Sequence, residues 1–356
     1  MNEPRVIGIC VSADRPYVHE MAVKRLQMLG QAGNRNEWIL FDRDRVNVKT
    51  RKVTGRRWGH GGQTFGTVEE TIPCPPVVFV QCIAGRRWME QLKRMGSQVF
   101  NDCMFDKWEC WTTLAGDRRL RGVLPDTQLL TADPGLQLFL AKHRDIFLKP
   151  IDADLGHSSL GIVRLQLREN GSILASHESV LEMKTIEFDG FRSFYAWFYS
   201  YAGRNMYLMQ QSIETEIRMN GVTDFRLHMN RKPRGQWVVS LVLLRIAHNR
   251  SHIVPKRAIM LPMHKWKAMS GNSPSQTRQI ESIERSVIEL GYRICSQLDG
   301  RGWHMADLGM DFGLDRQGQL WIFEINPLPS PLSLSADWYE GNAWTSPLVY
   351  AQSLLN

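Results

Sequence analysis

The sequence predicts an α+β protein in which a small α/β domain precedes a larger α+β region. Over residues 1–100, short apolar runs such as Val6–Val11 and Val77–Val80 alternate with segments of helical spacing. From Asn101 onward, strand-like alternation predominates and is interrupted by a long helical pattern at 275–298. This change of pattern along the chain is typical of a mixed fold with much antiparallel sheet.

Local signals define each element of the first hundred residues. A β-branched run opens the chain, and the helical pattern after it ends at Gly30. The basic and glycine-rich residues between 43 and 62 are predicted to form a loop or a hairpin. The predicted elements are strands at 6–11, 38–41 and 77–80 and helices at 16–29 and 86–95.

The region from Asn101 contains more predicted strand than helix. Its strands show apolar residues in runs or in alternation, and its helices show apolar residues three and four apart. The helices are predicted at 106–114, up to about 143, and at 275–298, and the strands at 146–149, 161–168, 206–213, 223–229, 236–247 and 318–325.

Composition places the chain among globular proteins but leaves its charge to be explained. Of its 356 residues, 43% are hydrophobic and 22% charged, which excludes disordered and fibrous classes. The net charge is +8, and seven Lys and Arg residues lie between residues 43 and 57 with Asp44 as the only acid there. Such a run is either a solvated surface or a contact for an anionic partner. No zinc-finger or RNA-recognition consensus accompanies it, so nucleic acid is not expected as a partner.

The cysteines and the first residues of the sequence indicate the cellular compartment in which the protein is expected. The six cysteines include no Cys-x-x-Cys pair, and structural zinc is therefore not expected. No segment has the roughly 18 apolar residues that a membrane span requires, and the first residues lack the apolar core of a signal peptide. We expect a cytoplasmic protein with reduced thiols and no membrane partner.

Residues 311–326 carry the strongest chemical signal. Two strands flank a turn at 315–318, so Asp311 faces Glu324 and Asn326 across a hairpin. Because i and i+2 project to one face of a strand, the oxygens converge on one hard cation, and oxygen ligands suit Mg²⁺. Asp and Asn are also common near hairpins for structural reasons. Glu324, however, lies in an apolar strand where an unpaired carboxylate is costly, which favours a metal site.

A second signal is Lys149, which lies at the exit of an apolar strand. It is followed by a loop that contains Gly156, Ser158 and Ser159 and returns into a strand at Ile162. An ammonium beside a loop of backbone N–H groups is suited to binding phosphate. The sequence contains neither a P-loop motif nor a strand-bounded Gly-x-Gly-x-x-Gly, which argues against those two nucleotide-binding folds.

In this order along the chain, the segments resemble the ATP-grasp superfamily, most closely the group around the endospore coat-associated proteins YheC and YheD. The resemblance spans residues 101–329 and implies two α+β lobes that grip ATP. It implies an ATP-grasp domain at 101–356, with a lid lobe at about 145–210 and a C-terminal lobe at about 211–330, after an N-terminal domain at 1–100. It rests on Asp106–Trp108, Leu124–Thr127, Leu148–Pro150 with Gly161–Ile162, Met209–Ile213, Thr223–Arg226, Gln236–Trp237 with Leu244–Ala247, and Asp307–Asn326.

The resemblance implies which residues hold ATP. Lys107 and Lys149 match the two lysines that contact the phosphates, and the loop 152–161 matches the segment that covers them. Gln210, Gln211 and Ile213 match the hinge against which adenine lies. As an alternative, Lys107 is a surface lysine of a helix.

It also implies the remaining site residues. Arg226 matches the arginine after the hinge, and Arg245 matches the one that contacts the transferred phosphoryl group or the oxyanion. Asp311, Glu324 and Asn326 match the ligands of Mg²⁺, expected as two ions. As alternatives, Arg226 pairs structurally with Asp224 or Glu216, and Arg245 faces solvent.

Two departures from the pattern concern the substrate. The stretch 248–257 after Arg245 has no glycine where the group usually carries a glycine-rich turn over the acceptor site. Asp307 stands where a Glu is more usual. Both changes affect the expected acceptor more than the expected ATP site, since the lysines and metal ligands are intact.

The resemblance implies an ADP-forming carboxylate–amine ligase. Such an enzyme transfers phosphoryl from ATP to a carboxylate, and an amine then attacks the acyl phosphate. The expected partners are small-molecule or peptide acids and amines, including anionic ones, with an amino acid or peptide as substrate. Two alternatives remain: a small-molecule kinase that uses the same ATP site, and a non-catalytic nucleotide-binding coat or scaffold protein.

Overall fold

Three β-sheets organise the protein in the computed structural model. The structure describes residues 6–31, 36–58, 65–151, 161–178, 183–215, 217–218, 221–247, 258–269, 273–330 and 339–355. Within these ranges no helix is long and apolar enough to cross a membrane.

The first sheet belongs to the N-terminal part of the chain. Its strand order is β4-β3-β2-β1-β5-β6, with β1 parallel to both β2 and β5, and with β2, β3 and β4 joined as an antiparallel meander. The predicted strand–helix opening is confirmed. The elements are β1 (Val6–Val11), α1 (Pro16–Gln31), β2 (Glu37–Asn47), β3 (Lys52–Trp58), β4 (Phe65–Pro73), β5 (Val77–Val80), α2 (Arg86–Arg94) and β6 (Gln98–Phe100).

The basic run from Arg43 to Arg57 lies on the β2–β3 hairpin, so of the two predicted alternatives the hairpin is correct. Arg57 is neutralised by Glu70 and Glu37, with 2.9 Å between its Nη2 and Glu70 Oε2. Arg43 donates to the Ile83 carbonyl at 2.6 Å. The other basic residues of the run are exposed: Arg45, Lys49, Arg51, Lys52 and Arg56.

The second sheet is antiparallel throughout, in the order β11-β10-β9-β8-β12-β7. Helices α5 and α6 pack on it through Leu136, Phe139, Phe194 and Phe198. The elements are α3 (Lys107–Ala115), α4 (Arg118–Arg121), β7 (Thr127–Leu129), α5 (Asp133–His143), β8 (Asp145–Pro150), β9 (Val163–Leu167), β10 (Ile173–Glu178), β11 (Met183–Phe188), α6 (Phe191–Ala202) and β12 (Tyr207–Gln211).

The third sheet carries the predicted metal hairpin. Its order is β16-β15-β14-β17-β18, with β13 paired to β14. Helix α8 packs on one face of β14, where Val287 and Ile294 join the core of Leu227 and Met229. The elements are β13 (Ile217–Arg218), β14 (Gly221–Arg231), β15 (Trp237–Ile246), β16 (Ile259–Pro262), α7 (Met263–Met269), α8 (Pro274–Asp299), β17 (Asp307–Leu314), β18 (Leu320–Asn326) and α9 (Ser346–Ser353).

The end of the chain returns to the first sheet. Leu348 and Tyr350 of α9 join the core of that sheet, and the ring of Tyr350 meets that of Phe100 edge-on at 5.3 Å. Arg25 of α1 forms a fully buried ion pair with Asp307 of β17 at 2.6 Å. The first sheet therefore contacts both α9 and the third sheet, and the domain limits 1–100 and 101–356 stay a prediction.

Candidate functional site

A small cavity of about 30 Å³ lies where the second and third sheets meet. One part of its lining is polar and consists of Lys107, Lys149, Gln210 and Glu324. The remainder is apolar, so the lining combines hydrophobic side chains with a few convergent polar groups, as is common in ligand sites. The other lining residues are Cys110, Trp111, Leu114, Leu124, Leu208, Ile322, Phe323 and Ile325.

Lys107 is the first residue of α3 and reaches into this cavity. Asp106 caps the helix by accepting a hydrogen bond from the Glu109 backbone N–H at 2.7 Å, which sets where the helix begins. The Lys107 Nζ lies 3.2 Å from Glu324 Oε1, and the lysine side chain is only 17% exposed. The ion pair joins α3 to β18, so Lys107 lines the cavity rather than lying open on the surface.

Lys149 enters the same cavity from β8. Its Nζ donates to Gln210 Oε1 at 2.5 Å. Burial lowers the pKa of the Lys149 ammonium to about 8, because desolvation and the nearby Lys107 outweigh the attraction of Glu324 and Asp311. The two lysines therefore bring positive charge into a partly desolvated space, where an anionic ligand would be bound strongly.

Two arginines of the third sheet neutralise one aspartate. Arg226 donates through Nε and Nη2 to the two Asp311 oxygens, at 2.5 and 3.0 Å. Arg245 Nη2 lies 3.0 Å from Asp311 Oδ1, and its Nε donates to Asp224 Oδ1 at 2.6 Å. Burial opposes ionisation of Asp311, but the two guanidinium groups outweigh it and lower its pKa.

Strand register explains this cluster. Arg226 lies opposite Asp311 and Asp224 lies opposite Arg245 across neighbouring strands. The absence of a side chain at Gly309 leaves space for the Arg226 guanidinium, since a Cβ at this position would come within 3.0 Å of Arg226 Nη1. Of the alternatives stated above, Arg226 pairs with Asp311 rather than Asp224, and the Arg245 side chain is 13% exposed rather than open to solvent.

The predicted hairpin is confirmed, with Asp311 opposite Glu324 in the β17–β18 pair. Asn326 lies beyond Glu324 on the same strand, and its Oδ1 accepts a hydrogen bond from the Leu328 backbone N–H at 2.9 Å. In the described part of the chain, no three His, Cys, Asp or Glu side chains are grouped closely enough to hold a metal by themselves. A cation here would thus be held by two carboxylates, an amide oxygen, water and substrate.

The residues expected at the adenine hinge lie at the end of β12. The Gln211 backbone N–H donates to the Asp126 carbonyl at 2.8 Å, and its side-chain Oε1 accepts from the Asp126 N–H at 3.3 Å. The side chain of Gln210 is directed to Lys149, and Ile213 follows the strand. Gly156, Ser158, Ser159 and the stretch 248–257 fall outside the described residues.

Sequence reasoning missed two groups of residues. Cys110, Trp111 and Leu114 line the cavity, and their spacing of three, four and seven from Lys107 places them on its helix face, which was a readable signal. The second group surrounds Asp307, which accepts from Arg25, His228 and Asn230 inside the core. Arg25, the β14 residues and Asp307 are far apart in the chain, so no local sequence spacing predicts that they meet.

Comparisons with known proteins agree with this architecture. The chain is 22% identical over 338 residues to the endospore coat-associated protein YheD of Bacillus subtilis, covering 90% of this chain and 71% of that protein. The VanG D-Ala:D-Ser ligase of Enterococcus faecalis has a similar structure, with a TM-score of 0.58 at 12% identity over 99% of this chain and 100% of that one.

A third similar structure is the N5-carboxyaminoimidazole synthetase of Staphylococcus aureus complexed with ADP, with a TM-score of 0.56 at 11% identity over 99% of this chain and 78% of that one. At such identities the likeness shows the fold, which is the ATP-grasp fold. The family model described as YheC/D like ATP-grasp matches residues 96–354. The chain therefore belongs to the YheC/D-like ATP-grasp family.

Proposed function

We propose that this protein is an ADP-forming carboxylate–amine ligase that binds MgATP where its second and third sheets meet, with the phosphates against Lys107 and Lys149. The observation that carries the proposal is the meeting of Lys107 and Lys149 with Glu324 in one partly apolar cavity. Phosphoryl transfer requires little beyond positioning and charge neutralisation, and cations around the phosphates supply both.

The lining of the cavity, which has an apolar part and a cationic part, supports ATP as the ligand. Its apolar wall, with Leu124, Leu208 and Ile322, suits adenine, and its two lysines suit the phosphates. The similar ligase and synthetase structures, one of them complexed with ADP, agree with a nucleotide in this fold. The loop 152–161 with Gly156, Ser158 and Ser159 is proposed to cover the phosphates.

The residues present fit Mg²⁺. Asp311, Glu324 and Asn326 offer only oxygen donors on facing strands, which is the chemistry that Mg²⁺ prefers. Asp311 Oδ1 accepts from both Arg226 and Arg245, but Asp311 Oδ2 accepts from Arg226 and keeps a further lone pair, as does Glu324 beside Lys107, so these ion pairs do not exclude a cation. When bound, the metal would neutralise charge on the phosphate oxygens.

The proposed reaction uses this chain's residues only to bind and orient. The γ-phosphoryl group passes to the substrate carboxylate and ADP leaves, and the amine then attacks the acyl phosphate and expels phosphate. Lys107 and Lys149 are proposed to hold the phosphates, and Arg226 and Arg245, which are ion-paired with Asp311 and Asp224, are proposed to stabilise the oxygens on which negative charge develops. No enzyme nucleophile takes part, because the phosphate itself activates the acid.

The acid and amine are proposed to be an amino acid or a peptide, including anionic ones. Support for an anionic partner comes from the exposed cations of the β2–β3 hairpin, Lys49, Arg51, Lys52 and Arg56. Such a charged surface attracts acidic ligands over a distance of about 10 Å at ordinary ionic strength.

Product analysis tests the proposal against its alternatives. Purified protein is incubated with MgATP and amino acids or short peptides, singly and in pairs, while ADP release is followed and products are identified by mass spectrometry. A ligase releases ADP only when an acid and an amine are both present, and it forms a product one water lighter than their sum. A stable phosphorylated product would indicate a kinase, and binding without turnover would indicate a non-catalytic protein such as a coat component.

The Lys149 ammonium makes ATP binding dependent on pH. Burial lowers its pKa to about 8 in the free protein, and bound phosphates would raise it. The affinity for ATP is then constant below about pH 7, where Lys149 is already charged. Above about pH 8 it falls by up to about tenfold per pH unit, because Lys149 is then neutral in the free protein and must take up a proton when ATP binds. Isothermal titration calorimetry at about pH 7 and about pH 9 measures the change.

Lys149→Arg is the matched control, since a guanidinium stays charged over the whole range. Its affinity for ATP should be the same at both pH values. Equal affinities in the wild-type protein would contradict the placement of Lys149 on the phosphates.

A further inference from the structure

We propose that Thr127 is a positioning residue that acts through Gln210 to hold the Lys149 ammonium in the cavity. The inference rests on the proposed function, in which Lys149 binds ATP phosphate, and it assigns a task to Thr127, which is not among the residues that line the cavity. The resemblance to the ATP-grasp superfamily rests in part on Leu124–Thr127, but it implies no role for Thr127.

The three residues lie in one row across three neighbouring strands. Thr127 of β7 is directly opposite Gln210 of β12, and Lys149 of β8 is opposite Leu208, two residues from Gln210. Directly opposite residues and residues two apart project to the same face of a sheet. All three side chains therefore lie on one face of the second sheet, the face on which Lys149 and Gln210 line the cavity.

Hydrogen bonds link the row in a single direction. The Thr127 hydroxyl donates to the Pro125 carbonyl at 2.9 Å, and its oxygen accepts from Gln210 Nε2 at 3.1 Å. Gln210 Oε1 then accepts from Lys149 Nζ at 2.5 Å. An ammonium can only donate, so the amide oxygen must face Lys149 and the amide nitrogen must face Thr127. The orientation of Gln210 is thus determined by its two neighbours.

The orientation of the Gln210 amide matters because the side chain is buried beside a charged group. Gln210 is 6% exposed, so water cannot replace a lost partner of its amide. Without the Thr127 hydroxyl, the buried Gln210 NH₂ group loses its acceptor, and the Lys149 ammonium is left as the one of these two neighbours that holds the amide in place. The charged groups around Lys149 are Lys107 of α3, Glu324 of β18 and Asp311 of β17. Gln210 anchors the lysine with a neutral acceptor, which leaves the full ammonium charge for the ligand.

A double-mutant cycle tests the proposal. Thr127→Val keeps the shape of the side chain and removes the hydroxyl, and it should weaken MgATP binding by up to about tenfold, the upper effect of losing one hydrogen bond between neutral groups, here Thr127 and Gln210. Thr127→Ser restores the hydroxyl and should restore the affinity. In a Lys149→Met background, Thr127→Val should have no further effect, since the lysine that it positions is gone.

Two further variants separate positioning from folding. Thr113→Val makes the same change at a buried threonine of α3 that does not line the cavity, and it should leave MgATP affinity unchanged. Gln210→Met removes the middle of the hydrogen-bond relay from Thr127 through Gln210 to Lys149, and it should weaken MgATP binding as much as Thr127→Val does. This variant serves as the test if the valine variant folds poorly. Equal losses from Thr127→Val in the wild-type and Lys149→Met backgrounds would overturn the proposal.

Crystal structures of the ligand-free wild-type and Thr127→Val proteins test, without any nucleotide, whether Thr127 maintains the contact between Gln210 and Lys149. In the valine variant, we expect the contact between Lys149 Nζ and Gln210 Oε1 to lengthen beyond about 3.5 Å or the amide to rotate. An unchanged contact would overturn the relay even if the protein is a ligase. A wild-type protein that binds no ATP would instead refute the proposed function, and these structures would still decide the relay.

Discussion

Replacing Glu324 by Gln together with Asn326 by Ala abolishes Mg²⁺-dependent ATP consumption, by about a thousandfold or more, if the hairpin holds the metal. The reason is that Glu324→Gln removes the negative charge and one oxygen of the proposed site and Asn326→Ala removes its amide oxygen, while Asp311 alone cannot retain the ion. Glu324 is partly exposed and its replacement has the same shape, so the thermal midpoint should change by only a few degrees. Steady-state ADP release and a thermal melt measure the two quantities.

Glu340→Gln is the control for this experiment, because it breaks an exposed ion pair with Lys232 away from the cavity. Its turnover should equal that of the wild-type protein, since exposed pairs contribute little to stability. A double variant with full Mg²⁺-dependent turnover would refute the metal assignment. A double variant that loses its fold would show instead that the Glu324–Lys107 pair is mainly structural.

Arg245→Met is expected to cost about 3–5 kcal/mol in the free energy of unfolding and to abolish turnover. Arg245 lies between the buried carboxylates of Asp224 and Asp311, and its loss leaves Asp224 without its paired cation. An unpaired buried carboxylate is strongly destabilising because neither water nor a counter-charge replaces the lost partner. Urea denaturation followed by circular dichroism measures the stability, and ADP release measures the turnover.

Adding Asp224→Asn to Arg245→Met separates stability from catalysis. Removing the second charge should recover most of the lost stability but none of the turnover. The pH dependence of Arg245→Met gives an independent check. Burial raises the pKa of Asp224, so the carboxylate destabilises the folded state above its unfolded pKa, and this cost is relieved as the pH falls through the raised pKa. A variant with wild-type turnover would contradict the assignment of Arg245.

The sequence predicted the fold best where the physical signal is local. The Asp315–Gly318 turn between two alternating segments sets the register of β17 and β18, and the register brings Asp311 opposite Glu324. The apolar run of β8 likewise places Lys149 at its exit. Helix α8 was predicted within one residue at each end, because its apolar spacing is regular over its whole length.

Prediction failed between residues 169 and 205, where β10, β11 and α6 were not recognised. Helix α6 has the sequence FRSFYAWFYSYA, and aromatic residues of this kind are more typical of strands than of helices. Their helical arrangement is stabilised by packing, since Phe194 and Phe198 stack on each other and join the core of the second sheet. Tertiary packing thus overrides the local preference.

The sequence by itself determined the residue types of the candidate site and their positions on strands, because strand alternation and hairpin register are local properties. Only the tertiary structure decided which charges meet. Lys107 pairs with Glu324, Arg226 and Arg245 share Asp311, and Lys149 is anchored on Gln210 rather than on a carboxylate. These contacts join strands and helices far apart in the chain, and their energies depend on burial and distance, neither of which a sequence pattern contains.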